Sequence, residues 1–328
     1  MLSQEVEHMV QPKQRRRLIL SVSIVNLTLL VAFVVLRLTQ PSDGMRLQPG
    51  IRAVDGSSVI VSAIGASTNG FQTGDRVLAV EGQTIAGWAA SLLCFEPFCD
   101  SPQHPHWRTG DTLTYTIVRN GALLDVPVTL RPYPLVANIA RDWGAMVYAL
   151  VLFLTGTFVF HKRPNEPATG LLFLAASAMA GATTWSFGLQ VLDFVHPVSF
   201  WLYQFNVRGV YLLTWSSILH FTLLFPNPHR LLQRHRWLVP ALYTSPLLVL
   251  IVMVVVSGAT VSEPLDWLVR PGPDQNLTVT VYLLLSLAAL VTNYRDQSDM
   301  VNRQQIRVVV YALGVNAGLA VLLWQIPQ

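Results

Sequence analysis

Charge is what this sequence has least of. Asp, Glu, Lys and Arg make up 12% of its 328 residues, about half the share usual in a soluble globular chain. Apolar residues make up 52%. So little charge excludes an ordinary soluble fold of this length and leaves a membrane protein. The familiar catalytic signatures are missing too. There is no His-Glu-x-x-His pair, no Gly-x-Ser-x-Gly elbow and no Gly-x-x-x-x-Gly-Lys phosphate loop, which excludes the zinc proteases, hydrolases and nucleotide enzymes that need them. No ATP-binding or phospho-acceptor motif of a kinase is present either, and nothing calls for a cofactor. Cysteine is confined to Cys94 and Cys99. The net charge is +4, but the basic residues sit in short clusters beside apolar runs rather than on one face, so nucleic acid is excluded as a partner.

What is present is a series of apolar runs. Residues 18–36 carry no charge and follow the basic cluster Lys13-Gln14-Arg15-Arg16-Arg17. At about 1.5 Å per residue the run is long enough to cross a bilayer. It ends Arg37-Leu38-Thr39-Gln40-Pro41 without a small-residue cleavage site, so it reads as an uncleaved signal anchor (18–38) rather than a cleaved signal peptide. Six further spans are predicted at about 143–160, 168–191, 198–224, 238–257, 277–293 and 308–325, giving a seven-span polytopic α-helical membrane protein. Lys and Arg cluster in the arm 1–17 and in the loops 161–167, 226–237 and 295–307. The loops 193–197 and 257–276 carry almost none. The positive-inside rule therefore places the N-terminus in the cytoplasm of a multi-pass cell-membrane protein and segment 46–132 outside. The seventh span would leave Gln328 outside with no flanking basic residues, and it reads as a chain cut short.

Segment 46–132 has a different texture. It contains GDRVLAVEG at 74–82, where Gly74-Asp75 reads as a tight turn, Val77 to Val80 as a short strand and Glu81-Gly82 as a hairpin turn. Strands are expected at 57–64, 110–119 and 124–130, and a helix after Ile85. This order resembles the core of PDZ domains, small β folds that bind peptides between an edge strand and a helix. The resemblance implies a carboxylate-binding loop and groove strand near 47–54, with Gly50, Ile51, Arg52 and Ala53 receiving a peptide end by strand addition. Only Pro49-Gly50-Ile51 remains of the usual loop pattern. An insert also interrupts the expected groove helix, and it carries Cys94 and Cys99 around Phe95-Glu96-Pro97-Phe98. Outside the cell these two thiols can close a small disulfide ring, or they can stay a packed free pair. His104 and His106 lie close by, but the spacing matches no zinc pattern, and no metal is predicted.

Within the apolar spans two places are polar enough to carry chemistry. Arg208 lies about ten residues into 198–224. Gln204 and Tyr211 share its helical face, and Asn206 is near. Charge at that depth is costly and usually faces a polar interior or a partner. A ligand site and an outward-snorkelling Arg are both open, and Asp193 is the nearest acid in sequence. His220 follows Ser216 and Ser217 on one face. With no acid to orient the ring, a hydrogen bond to another helix is expected rather than hydrolysis.

Two short motifs stand in these spans: His220-Phe221-Thr222-Leu223-Leu224-Phe225-Pro226, and NRQQIRVVVYALG at 302–314. With the anchor and the external small domain they resemble the membrane input region of bacterial sensor histidine kinases of the competence and quorum-sensing type. That resemblance implies two-component signal transduction. A peptide or small-molecule signal would bind outside and act through the bundle, with Gln204, Arg208, Tyr211 and His220 as signalling positions. Membrane lipid is a partner, and a homodimer is left open. The kinase core is not in this sequence. The competing expectation is a membrane-anchored PDZ scaffold without enzymatic activity.

Overall fold

The computed structural model describes residues 12–48, 53–65, 70–93, 105–235, 237–260, 264–269 and 273–324. Helix α1, Pro12–Thr39, has no Pro or Gly after its first residue, and Pro41 follows its end. One side of it is left bare, with Leu18, Ile24, Val25, Val31 and Val35 all exposed.

A small antiparallel sheet follows. Its strands are β1 (Pro41–Ser42), β2 (Met45–Leu47), β3 (Val54–Asp55), β4 (Ser58–Ala63), β5 (Arg76–Val80), β6 (Gln83–Thr84), β7 (Thr112–Arg119), β8 (Ala122–Thr129) and β9 (Arg131–Pro132), with helix α2 (Ile85–Ser91) after β6. The main sheet runs in the order β2-β4-β5-β7-β8, with β3 on β4 and β6 on β5. Strand β2 is therefore an edge. Strands β1 and β9 pair separately and clasp the two ends of the sheet segment together.

Local chemistry explains the turns. Glu81 and Gly82 both take positive φ, 52° and 77°, as a two-residue hairpin turn requires. The Glu81 carboxylate reaches across to accept from the Thr114 N–H. Asp75 accepts from the Gln72 N–H at 2.7 Å and holds Arg119 through both oxygens at 2.8 and 2.6 Å. Thr84 caps α2 by accepting from the Gly87 N–H at 3.1 Å. The strands expected from alternation at 57–64, 110–119 and 124–130 coincide with β4, β7 and β8 to within a few residues.

The bundle comprises α3 (Leu135–Lys162), α4 (Pro167–Ala182), α5 (Pro197–Gln204), a π-helical segment (Phe205–Val210), α6 (Tyr211–Leu224), α7 (Arg230–Arg234), α8 (Leu238–Thr260), α9 (Pro264–Val269), α10 (Pro273–Asp296) and α11 (Met300–Trp324). Among the described residues, four stretches are long and apolar enough to cross a membrane: Lys13–Thr39, Leu135–Lys162, Pro167–Phe187 and Thr278–Asp296. Helix α4 is the central one, mostly buried and packed against α1, α3 and α6. Small residues permit that closeness. A Cβ built on Gly156 would lie 2.8 Å from the Ala176 Cβ, and one on Gly170 would lie 2.6 Å from the Ile19 Cδ1.

Four expectations about the spans and loops need revision. The span placed at 168–191 is helical only to Ala182. A 3-10 turn, Thr183–Phe187, follows, then Gly188 at φ 68° and a second 3-10 turn, Val191–Phe194. The Thr183 hydroxyl donates to the Ala180 carbonyl at 2.6 Å, the side-chain competition that draws such residues to helix ends, and Gly188 supplies the left-handed backbone that turns the chain. The span expected at 198–224 contains a π-helical segment with Arg208 inside it. The loop expected at 257–276 contains α9. Helix α3 also begins eight residues before the expected 143 and is interrupted at Asp142.

Candidate functional site at the joint between sheet and bundle

Buried charge is concentrated where the sheet meets the helices. Arg37, in the last turn of α1, is 3% exposed. Its Nη1 lies 2.8 Å from Asp193 Oδ1 and its Nη2 lies 2.9 Å from Oδ2, a bidentate fork with matched geometry. The same guanidinium donates to the Gly188 carbonyl at 3.0 Å and to Gln190 Oε1 at 3.2 Å. It sits 5.0 Å from the Phe33 ring centroid and 5.7 Å from that of Tyr133. Asp193 also accepts from the Gln190 N–H and from Ser199 Oγ, both at 2.7 Å. Gln190 Nε2 reaches Ser42 Oγ at 2.7 Å. One chain of hydrogen bonds thus joins α1, the first sheet strand and the turn Val191–Phe194.

A second pair lies beside it. Arg46 of β2 is 2.7 Å from Asp142 Oδ2, at the interruption in α3, and donates to the Ser186 carbonyl at 3.3 Å. Arg141 donates to the Ala63 carbonyl at 2.9 Å. Asp43 is buried between these pairs. It accepts from the Met45 N–H at 2.9 Å and from the Tyr115 hydroxyl at 3.1 Å. Burial, only partly offset by those two donors, raises its carboxyl to about 6. Burial beside Asp43 pushes the Tyr115 phenol well above its ordinary value.

The apolar core ignores the boundary. Met45, Leu47, Val59, Trp88, Ala89 and Leu92 of the sheet part form one continuous cluster with Leu189, Val191, Leu192 and Phe194 and with Leu265 and Leu268 of α9. Helix α2 packs on both Val191–Phe194 and α9.

The residues singled out from sequence fall into three groups. Gln204 and Arg208 are brought together: Gln204 Nε2 donates to the Leu268 carbonyl at 2.6 Å and Arg208 Nη2 to the same oxygen at 3.1 Å. They hold the end of α9, the helix that leans on α2. Asp193 is the acid nearest Arg208 in sequence. Asp193 belongs to Arg37, whose fork takes both carboxylate oxygens. Tyr211 lies edge-on to Trp215 with centroids 6.0 Å apart. His220 is elsewhere, with Nδ1 3.1 Å from the Tyr243 hydroxyl of α8. Ala53 is buried in the sheet core. Gly50, Ile51, Arg52, Cys94 and Cys99 lie outside the described residues. Among the described residues no group of His, Cys, Asp or Glu is arranged to hold a metal.

Two features escaped sequence reasoning. Arg37 closes an apolar run and reads there as an ordinary interfacial residue, while its partner lies 156 positions away. The end of α10 ties the two bundle motifs together. Asn293 Nδ2 donates to the Thr222 and Phe225 carbonyls at 3.2 and 2.9 Å. Arg307 donates to the Tyr294 hydroxyl at 2.7 Å, and Arg303 and Arg307 both lie 5.5 Å from the Tyr294 ring. The two consecutive residues Asn and Tyr were the available signal.

No protein-family model, curated protein or solved structure matches this chain.

Proposed function

We propose that the chain is the membrane input module of a two-component signalling protein, with a PDZ-like domain at 46–132 outside the cell and seven spans that, with one further span after them, carry its state to an output domain on the inner side. The signal would be an extracellular peptide or small ligand. The observation that carries the reading is the joint. A domain tethered only by flexible linkers could bind a partner but could not report it. Here the sheet is joined to the bundle through the part-buried Arg46–Asp142 ion pair, through the Gln190–Ser42 hydrogen bond that extends the buried Arg37–Asp193 pair to the first strand, and through α9, held by Gln204 and Arg208. A ligand that favours one arrangement of that joint biases the helices, as a population shift requires.

The orientation has support of its own. Arg15, in the basic cluster that opens α1, donates to the Asn165 carbonyl at 2.8 Å. The basic arm and the first basic loop therefore lie together, at the end of α1 remote from Arg37. Reporter fusions after Arg163, Arg230 and Arg303 are expected to report cytoplasm, and fusions after Asp55 and His196 the outside.

The functional test joins the chain, through one further membrane span that returns it to the cytoplasm, to a histidine-kinase core and measures autophosphorylation. Arg208→Leu is expected to insert normally and to uncouple output, and Arg208→Lys to retain part of it, because Lys lacks the planar fork. If Arg208→Leu and Arg37→Met both give the parent's output at the parent's abundance, the sensor reading fails and the scaffold reading takes its place.

A further inference from the structure

We infer that residues 188–195, GLQVLDFV, are a displaceable internal ligand of the groove between β2 and α2, and that the groove's external partner is an extended peptide of similar apolar pattern. Strand β2 is the edge of the main sheet, and α2 lies across from it. The turn Val191–Phe194 packs on both. Leu189 brings its carbonyl 2.7 Å from the Leu47 N–H, the kind of bond an added strand makes to a sheet edge. Val191, Leu192 and Phe194 are at most 1% exposed and share the core of Met45, Leu47, Trp88 and Leu92.

The side chains are fully seated but the backbone pairing to β2 is incomplete, and this leaves an extended peptide bonds to gain that the segment does not make. Among the described residues a single backbone hydrogen bond ties 188–195 to the β2 edge. The segment reaches it through Gly188 at φ 68° and then leaves in a 3-10 turn, so it does not continue along the strand. An extended peptide would keep the Leu47 contact and could add bonds at the Met45 and Leu47 carbonyls. Because Asp193 lies within the segment, its departure also removes the carboxylate from Arg37. Groove occupancy is thereby linked to the last turn of α1. This consequence rests on the sensor reading; the groove assignment does not.

The test uses the full chain in lipid nanodiscs and a synthetic peptide with the sequence GLQVLDFV. Leu192→Asp disfavours the internal occupant. Hydrogen exchange across 45–48 is expected to accelerate at least tenfold in that variant while β7 and β8 keep their protection, and the peptide is expected to restore the parent rate. The peptide should bind the variant at least tenfold more tightly than the parent. Unchanged exchange at 45–48, or equal peptide affinity for the two proteins, overturns the inference. Should Leu192→Asp fail to fold, Leu47→Cys with Leu189→Cys is made in a background where Cys94 and Cys99 are Ser. Oxidation should then cross-link the pair and lower peptide affinity below that of the reduced form, and absence of the cross-link overturns the assignment. A groove that behaves as expected in a kinase fusion whose output never responds would defeat the sensor reading alone.

Discussion

The joint beside the sheet and the far part of the bundle are held by different chemistry. Toward the sheet, the contacts carry charge: two ion pairs, Arg37 with Asp193 and Arg46 with Asp142, and the Arg208 guanidinium on the Leu268 carbonyl. At the far end they are mostly neutral: His220 to Tyr243, Tyr282 to Ser245 at 2.8 Å and to the Leu242 carbonyl at 2.7 Å, and Asn293 to two carbonyls. Neutral hydrogen bonds contribute about 1 kcal/mol each, and loss of one partner costs about 1–3 kcal/mol when the other is left buried and unpaired. A buried ion pair is of another kind. It adds little net stability when complete, yet removing one partner costs about 3–5 kcal/mol, because the other charge is stranded. The end near the sheet is thus suited to two discrete states, and the far end to holding helices in place.

The largest effect should therefore come from Arg37→Met or Asp193→Leu. Each is expected to lose about 3–5 kcal/mol of joint stability, read as lost hydrogen-exchange protection across 188–195 and 45–47. The double variant should recover most of it. If the single changes are as mild as the double one, the contrast between the two ends collapses.

Next in size is Arg208→Leu, which removes a charged donor from the Leu268 carbonyl at a cost of about 1.5–3 kcal/mol. Exchange should rise across 264–269 and leave α10 unchanged. Equal loosening of both regions would show that the ends are not independent.

Asp43 sharpens the comparison through pH. Its folded carboxyl is raised to about 6 by burial, against about 4 when unfolded. A raised carboxyl binds its proton more tightly in the folded state. Its contribution is therefore full below pH 4 and is lost as pH rises through 6, a change of about 3 kcal/mol. Thermal unfolding of the parent should show this slope, and Asp43→Asn should flatten it. A slope that persists in Asp43→Asn would point to another group.

The smallest effect is expected for His220→Phe, which removes one neutral bond and costs about 1 kcal/mol. Protection should fall in α8 near Tyr243 and stay unchanged across 188–195.

These contrasts divide what was legible in the sequence from what was not. The turn Glu81-Gly82, the strands around it and the helix after it announce themselves locally, through alternation and turn residues. The four long apolar stretches do so through length and lack of charge. The joint does not, because its partners are distant and its residues have ordinary local explanations. Arg37 resembles a helix-end anchor, Asp193 a loop acid, and Thr183-Thr184-Trp185 the tail of a span. Helix α9, six residues long, is too short for periodicity to register. Arg208 stands out in the sequence through the cost of charge among apolar helices. The Leu268 carbonyl it donates to is not legible there, because a backbone carbonyl leaves no mark in the sequence.

The β1–β9 clasp has an architectural consequence. By pairing Pro41 with Pro132 and Ser42 with Arg131, it brings the exit of α1 next to the entry of α3, so everything between is a cassette inserted between two helices that both pack on α4. A short linker could replace the cassette and leave both helices on α4. The bundle so produced would then present Leu189, Val191, Leu192 and Phe194, all buried while the cassette is seated, as a bare adhesive patch. Gene rearrangements that exchange the cassette are therefore constrained to donors whose groove accepts that patch.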